Sequence, residues 1–226
     1  LLREKSRGYI SYLRGENPFT FPIRLYSQDK DKLLTEGYKK DIFGKKIDPT
    51  FNLSFLKLYK CPLKKDQLTK ITNELDNLED TIRISEESKL LQVSNCYYPA
   101  NSDDIEDFYG KNGINNCFTA KGKPVKYSYK KNIPNFLDLD ELKNYSSKIY
   151  NIIKNINKSK GIAFIYSNYL DGGILPLILA LEQNGYQHCS DTEIFVSKDK
   201  REPISYEGKV KSKYTSKDNF KQAKYM

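Results

Sequence analysis

Few of the 226 residues are of types that carry chemistry, and they are scattered. The single histidine, His188, sits just past the end of a helix-like stretch beside Cys189, with no nucleophile motif near it. A Ser-His or Cys-His arrangement would have to use it, and nothing around it supports one. The four cysteines, Cys61, Cys96, Cys117 and Cys189, form no CxxC pair and lack zinc-ligand spacing. Reduced thiols are expected, with no catalytic residue and no metal site. One stretch stands apart. Ser167-Asn168-Tyr169-Leu170-Asp171-Gly172-Gly173 places a hydroxyl, an amide and two glycines between an apolar run and an apolar helix. A Ser hydroxyl, an Asn amide and exposed backbone N–H groups are suitable donors to phosphate oxygens. The same residues would equally serve a tight strand-to-helix connection that binds nothing.

The elements around this turn are legible. Asp138 followed three residues later by Glu141 resembles a capping box with Asp in place of Ser or Thr. Leu142, Tyr145, Ile149, Ile152, Ile153 and Ile156 then form one helical stripe, which Ser159-Lys160-Gly161 ends. The continuous apolar run Ile162-Ala163-Phe164-Ile165-Tyr166 predicts a parallel strand buried on both faces. A second helix runs from Ile174 to about Asn184, with Pro176 in its first turn and Gly185 as its C-terminal cap. Thr192 to Val196 is the candidate next strand. This alternation is the rhythm of an α/β domain with a parallel sheet. Ligands of such sheets bind at the C-terminal ends of strands, so function is expected at Ser167 to Gly173.

The chain before residue 137 is less regular. In residues 1–26, Tyr9, Tyr12, Phe19, Phe21 and Tyr26 are interleaved with Arg3, Lys5, Arg7, Arg14 and Arg24. Aromatics among arginines can stack bases, or can pack a linker onto a core. Gly15-Glu16-Asn17-Pro18 is a turn by composition, and Phe21 to Tyr26 reads as an extended edge segment. Residues 27–50 read as a polar surface loop. Leu53, Phe55, Lys57 and Tyr59 alternate as one face of a strand that Cys61-Pro62 stops. Leu68, Ile71, Leu75 and Leu78 form a helical stripe. The short run Leu90-Leu91-Gln92-Val93 leads into Asn95-Cys96-Tyr97-Tyr98-Pro99, and Asn101 to Lys131 reads as a long polar insertion.

Composition bounds the classes. The chain is 38% apolar and 30% charged, with a mean hydropathy of -0.70, which suits a soluble globular protein. No run approaches the roughly 20 apolar residues that span a bilayer, so no membrane partner is expected. The formal net charge of +9 fits attraction to phosphate backbones. Abundant Lys, Asn, Ile and Tyr with no Trp would also follow from an AT-rich coding sequence. Leu1-Leu2-Arg3-Glu4-Lys5 has no initiator Met and no signal-peptide pattern, and reads as cut from a longer chain.

Four segments, taken in order, resemble the Swi/Snf-like superfamily 2 helicases, most closely the poxvirus-type transcription helicases of large DNA viruses. Gly8-Tyr9-Ile10-Ser11-Tyr12 through Phe21-Pro22 is similar to the link leaving a first RecA-like domain. Leu56-Lys57-Leu58-Tyr59-Lys60-Cys61-Pro62-Leu63 with Gln67 is similar to the strand and helix entering the second half. Gln92 to Pro99 occupies the place of a "CNHP"-like stretch. Tyr145 to Asn168, then Gly172-Gly173 and Leu179-Ala180-Leu181-Glu182-Gln183-Asn184-Gly185-Tyr186, resembles motif IV and its flanks. The resemblance implies an α/β fold: a partial RecA-like domain with a parallel sheet, preceded by an irregular linker and insertion region. Its divisions would be a linker and entry strand (1–60), a helical segment with a polar insertion (61–136), and the start of a second, truncated RecA-like domain (137–226). It implies a helicase or translocase driven by ATP and Mg²⁺, acting on DNA or RNA, with a viral RNA polymerase as a further partner. It implies an intracellular place: viral factories in host cytoplasm, or the virion. By carry-over of motif IV, Ser167, Asn168, Gly172 and Gly173 are the expected backbone-gripping residues.

The chain itself lacks the motifs for ATP hydrolysis. Gly44-Lys45-Lys46 and Gly122-Lys123-Pro124 fail at the Ser/Thr that must follow Gly-Lys. Asp138-Leu139-Asp140-Glu141 is acidic but starts a helix, and no arginine-rich motif closes the chain. Two other readings stay open: a basic adaptor for nucleic acid or polymerase, and a small-molecule enzyme on a flavodoxin-like or glycosyltransferase-like sheet. If strands are missing after Met226, an unpaired edge and marginal stability are expected.

Overall fold

The computed structural model describes residues 30–34, 38–41, 43–51, 58–78, 83–102, 104–159, 161–215 and 219–226. These fall into two compact units, one of described residues up to Asp41 with Lys46–Lys60, the other of residues 42–45 with Cys61–Met226. The aromatic and arginine-rich opening and most of the expected strand at 53–59 lie outside the described residues. In the first unit, β1 (Leu33–Leu34) pairs antiparallel with β2 (Leu58–Tyr59), Leu33 opposite Tyr59.

The second unit is mixed α/β, with two parallel strand pairs, consistent with a partial RecA-like helicase domain. It opens with α1 (Lys65–Asp76) against α2 (Ile84–Asn95). The expected stripe holds in part, Ile71 being buried and Leu75 packing against its cluster. Leu68 is half exposed and Leu78 lies past the helix end, while Gln67 is fully buried one turn before Ile71. Gln67 Nε2 donates to the carbonyls of Val93 and Ser94 (2.8 and 3.2 Å), which α2 leaves unsatisfied at its C-terminus. Lys148 adds a cation at the same helix end, donating to Ser94 Oγ and Asn95 Oδ1 at 2.8 and 2.9 Å.

The expected polar insertion at 101–131 is instead ordered secondary structure. A 3₁₀ turn (Ile105–Phe108) leads into α3 (Gly110–Cys117), then an antiparallel hairpin of β3 (Phe118–Lys121) and β4 (Lys126–Tyr129). Its polar residues are exposed or half-buried, while Ile105, Phe108, Ile114, Cys117 and Phe118 are buried. A few well-spaced apolar residues suffice to anchor it.

The long helix expected from Asp138 is two helices, α4 (Leu139–Tyr145) and α5 (Ser147–Ile156). The break has a local cause. The Tyr145 carbonyl accepts from Tyr97 N–H at 2.8 Å, so Ile149 N–H turns to Ser146 Oγ at 3.0 Å, and Ser146 becomes an N-cap. Asp138 does cap α4, its Oδ1 accepting from Asp140 N–H at 3.0 Å.

The expected buried strand at Ile162–Tyr166 is not formed. These residues belong to no strand, and Ile162, Phe164 and Tyr166 are 104%, 91% and 77% exposed. Ile165 alone of the five packs against the core. The run is apolar enough for a sheet interior, but no strand among the described residues lies beside it to pair. The helix that follows, α6 (Leu175–Gln183), is where expected. Beyond it, β5 (Gln187–His188) runs parallel to β7 (Lys224–Tyr225), and β6 (Phe195–Val196) runs parallel to β4. The main core joins α3–α6 to the hairpin, with Phe118 and Tyr129 in ring contact with each other and each with Phe136 and Phe195, at 5.2–6.0 Å.

Candidate nucleic-acid interface

The turn singled out in the sequence is held from three sides. Leu170–Ile174 is one turn of π-helix, whose Ile174 N–H reaches back to the Tyr169 carbonyl at 3.0 Å. Tyr98, fully buried, donates its hydroxyl to the Asp171 carbonyl at 2.6 Å. A Cβ on Gly172 would lie 2.6 Å from Gln92 Oε1 of α2, and one on Gly173 would lie 2.2 Å from Ser167 Oγ. Gly113 of α3 abuts the Tyr98 ring just as closely, a Cβ there meeting it at 2.3 Å. Small residues at these points let α2, α3 and the turn approach to backbone distance.

Ser167, Asn168, Gly172 and Gly173 are therefore brought together, in different environments. Ser167 is half-buried against Gly173, and its Oγ accepts from Tyr169 N–H at 3.2 Å. Both glycines are buried. Asn168 is exposed, and its Oδ1 accepts from the Tyr166 hydroxyl at 2.6 Å. The surface open to a ligand is thus the Asn168 amide together with the exposed Phe164 and Tyr166 rings. Sequence reasoning did not find Gln92, Tyr98 or Gly113 as the supports of this turn. Gln92 and Tyr98 lie in the stretch that carried part of the resemblance, but their contacts are 73 residues apart in the case of Tyr98 and Asp171.

The Glu182-Gln183-Asn184-Gly185-Tyr186 stretch, the sharpest part of the resemblance, is architectural. The buried Glu182 carboxylate accepts from Ile194 and Phe195 N–H (3.0 and 2.9 Å) and from the Tyr225 hydroxyl (2.6 Å). Lys200 Nζ stands 3.4 Å away. Burial, and then the bond to Glu182, holds the Tyr225 phenol well above its usual range. Asn184 donates to the Leu137 and Ala180 carbonyls (2.8 and 2.7 Å) and accepts from Leu139 N–H at 2.9 Å. Gly185 has φ +89, and a Cβ there would lie 2.1 Å from the Glu202 carbonyl oxygen. Tyr186 donates to Asn157 Oδ1.

Among the described residues neither Gly-Lys pair forms a strand-to-helix phosphate loop. Gly44 lies in an exposed bend, and Gly122-Lys123-Pro124 is the tip of the β3–β4 hairpin. Asp138 and Asp140 pair with Arg201 at 2.6 Å each. Among the described residues no three His, Cys, Asp or Glu side chains gather as a metal site, and no helix is long and apolar enough to cross a membrane. Cys96 and Cys117 are buried, and desolvation pushes the Cys117 thiol up to about 12, far from a reactive thiolate.

No protein-family model matches the chain, and no solved structure does. Two proteins of Acanthamoeba polyphaga mimivirus are similar to it. "Putative ATP-dependent RNA helicase L377" is 28% identical over 222 residues, covering 82% of this chain and 17% of that protein. "Putative ATP-dependent RNA helicase R563" is 24% identical over 225 residues, covering 97% of this chain and 32% of that protein. The chain thus spans less than a third of each relative, and over most of its own length it is similar to viral proteins named as ATP-dependent RNA helicases.

Proposed function

We propose that the chain is part of an ATP-dependent nucleic-acid helicase or translocase of superfamily 2, Swi/Snf-like and transcription-related, in which the 167–173 turn touches the sugar-phosphate backbone. The observation that carries this reading is the similarity, over 82% and 97% of the chain, to two viral proteins named as ATP-dependent RNA helicases. The exposed amide of Asn168 and the adjoining exposed aromatic rings supply a donor and a stacking surface on one side of a firmly held turn. Ser167, Gly172 and Gly173 shape that turn from beneath. We assign ATP and Mg²⁺ to other parts of the whole protein, since neither Gly-Lys pair here is followed by Ser or Thr and Asp138 and Asp140 pair with Arg201.

Asn168→Ala tests this. It removes an exposed donor without touching the buried packing. Binding of a labelled single-stranded RNA to the 226-residue chain should weaken several-fold at low salt, with unchanged thermal melting. Equal affinity in variant and wild type would remove the turn from the interface.

A further inference from the structure

The β3–β4 hairpin has two unlike faces. Antiparallel register pairs Phe118 with Tyr129 and Ala120 with Tyr127 on one side, and Thr119 with Ser128 and Lys121 with Lys126 on the other. The first side packs its rings against Phe136 and Phe195. The second carries two hydroxyls and two exposed lysines, with exposed Lys123 at the tip. Lys121 and Lys126 stand directly opposite one another, an arrangement of like charges that destabilises a hairpin. Among the described residues no carboxylate pairs with Lys121, Lys123 or Lys126. None is close in sequence either: from Asp107 to Asp138 the chain has six lysines and no intervening acid.

A solvated charged face ordinarily mixes signs, and cross-strand positions ordinarily pair opposite ones. A face that keeps only cations, at a cost to its own hairpin, is complementary to a dense anion. We propose that the Thr119/Ser128 and Lys121/Lys126 face of the hairpin, with Lys123, binds the phosphate backbone of nucleic acid. It is a contact separate from the 167–173 turn, and it rests on the nucleic-acid part of the function proposed above. Phosphate oxygens from successive nucleotides would take the place of the missing carboxylates, accepting from lysine ammonium groups and hydroxyls. A nucleic acid fits better than an acidic protein because the face offers hydroxyl and ammonium donors, with Val125 and Val196, the partner of Ser128, as its exposed apolar side chains.

The test measures anisotropy of a fluorescein-labelled 20-nucleotide single-stranded RNA titrated with the 226-residue chain across a salt series. The variants are Lys121→Gln/Lys126→Gln, the charge-matched control Lys198→Gln/Lys221→Gln, and Asn168→Ala. The hairpin variant should bind about 5- to 30-fold more weakly, and its log K against log salt slope should fall by about 1.4, at roughly 0.7 per lost phosphate contact. Its melting temperature should stay level or rise, because the opposed lysines are gone. The control should lose less than half as much slope. Equal losses in the control and hairpin variants would overturn the proposal, leaving only diffuse charge. So would an unchanged slope in the hairpin variant. Loss in Asn168→Ala with none in the hairpin variant overturns the hairpin alone, the reverse result overturns the turn alone, and no binding by the wild type at about 20 mM salt overturns both. Displacement of the labelled RNA by an acidic polypeptide at lower concentration than by unlabelled RNA would reassign the face to a protein partner.

Discussion

The hairpin at 118–129 and the apolar run at 162–166 invert what their compositions suggest. The hairpin is rich in lysine and turn residues, yet Phe118 within it is 3% exposed and touches four other rings. The run has five apolar residues in succession, yet Phe164 is 91% exposed. Apolar content states that a segment gains from being covered. Whether it is covered depends on a neighbour that arrives from elsewhere in the chain. The hairpin supplies its own second strand and then receives β6, while the run receives none among the described residues.

The sharpest way to break this contrast is a pair of truncations. Phe118→Ala should destabilise the chain by about 3–5 kcal/mol in urea unfolding, since it empties the centre of the aromatic cluster. Phe164→Ala should stay within about 0.5 kcal/mol of wild type. A loss above about 2 kcal/mol for Phe164→Ala would mean that the run is covered in solution. An intermediate effect is expected where the run joins the core. Gly173→Ala places a methyl against Ser167 Oγ and should destabilise by about 1–3 kcal/mol, with part of the loss restored by adding Ser167→Ala. Full tolerance would show that the turn has slack.

The smallest effect concerns the hairpin's flank, where Tyr129 accepts from Leu137 N–H beside the Asp138–Arg201 pair. The Arg201 hydrogen bond holds the Asp138 carboxyl below its usual 3.8. A folded-state pKa below the unfolded one gives stability that is full above the unfolded value and lost as pH falls through the folded one. Asp138→Asn should therefore be less stable than wild type by about 0.2–1 kcal/mol at neutral pH, a modest figure for a partly exposed pair. The gap should begin to narrow below about pH 4 and vanish only once the pH is below the lowered folded-state value. A gap that persists there would assign the loss to the cap geometry instead.

The helices at Lys65–Asp76 and Leu175–Gln183, the helical start at Asp138 and the α/β class were legible because each depends on neighbours within a turn or two, whereas α2 and α3, with few apolar residues, were not. Asp138 caps its helix, though Glu141 bonds Asn144 and Asp138 N–H goes to the Asn135 carbonyl, so no capping box closes; Pro176 and Gly185 do what their positions suggest. The break at Ser146 was not legible, because it depends on Tyr97 taking a carbonyl from 48 residues away. Nor was the burial of Gln67, a polar residue inside only because the end of α2 offers two free carbonyls. At the candidate site the turn itself was visible, but Gln92 and Tyr98, which hold it, are identified only by contact. The hairpin's two faces were hidden for the same reason: alternation over four residues becomes informative only once the register is known.

Glu182 has a consequence for how the unit comes apart. One buried carboxylate joins α6 to the N–H groups entering β6 and to a tyrosine one residue from the end. β6 in turn lies beside β4. The C-terminal forty residues therefore cannot peel away singly: releasing Tyr225 or β6 loosens a charge shared by both. Opening there should be concerted, the tail and hairpin exchanging their amide protons as one cooperative block, while the 162–166 ribbon exchanges independently and far sooner.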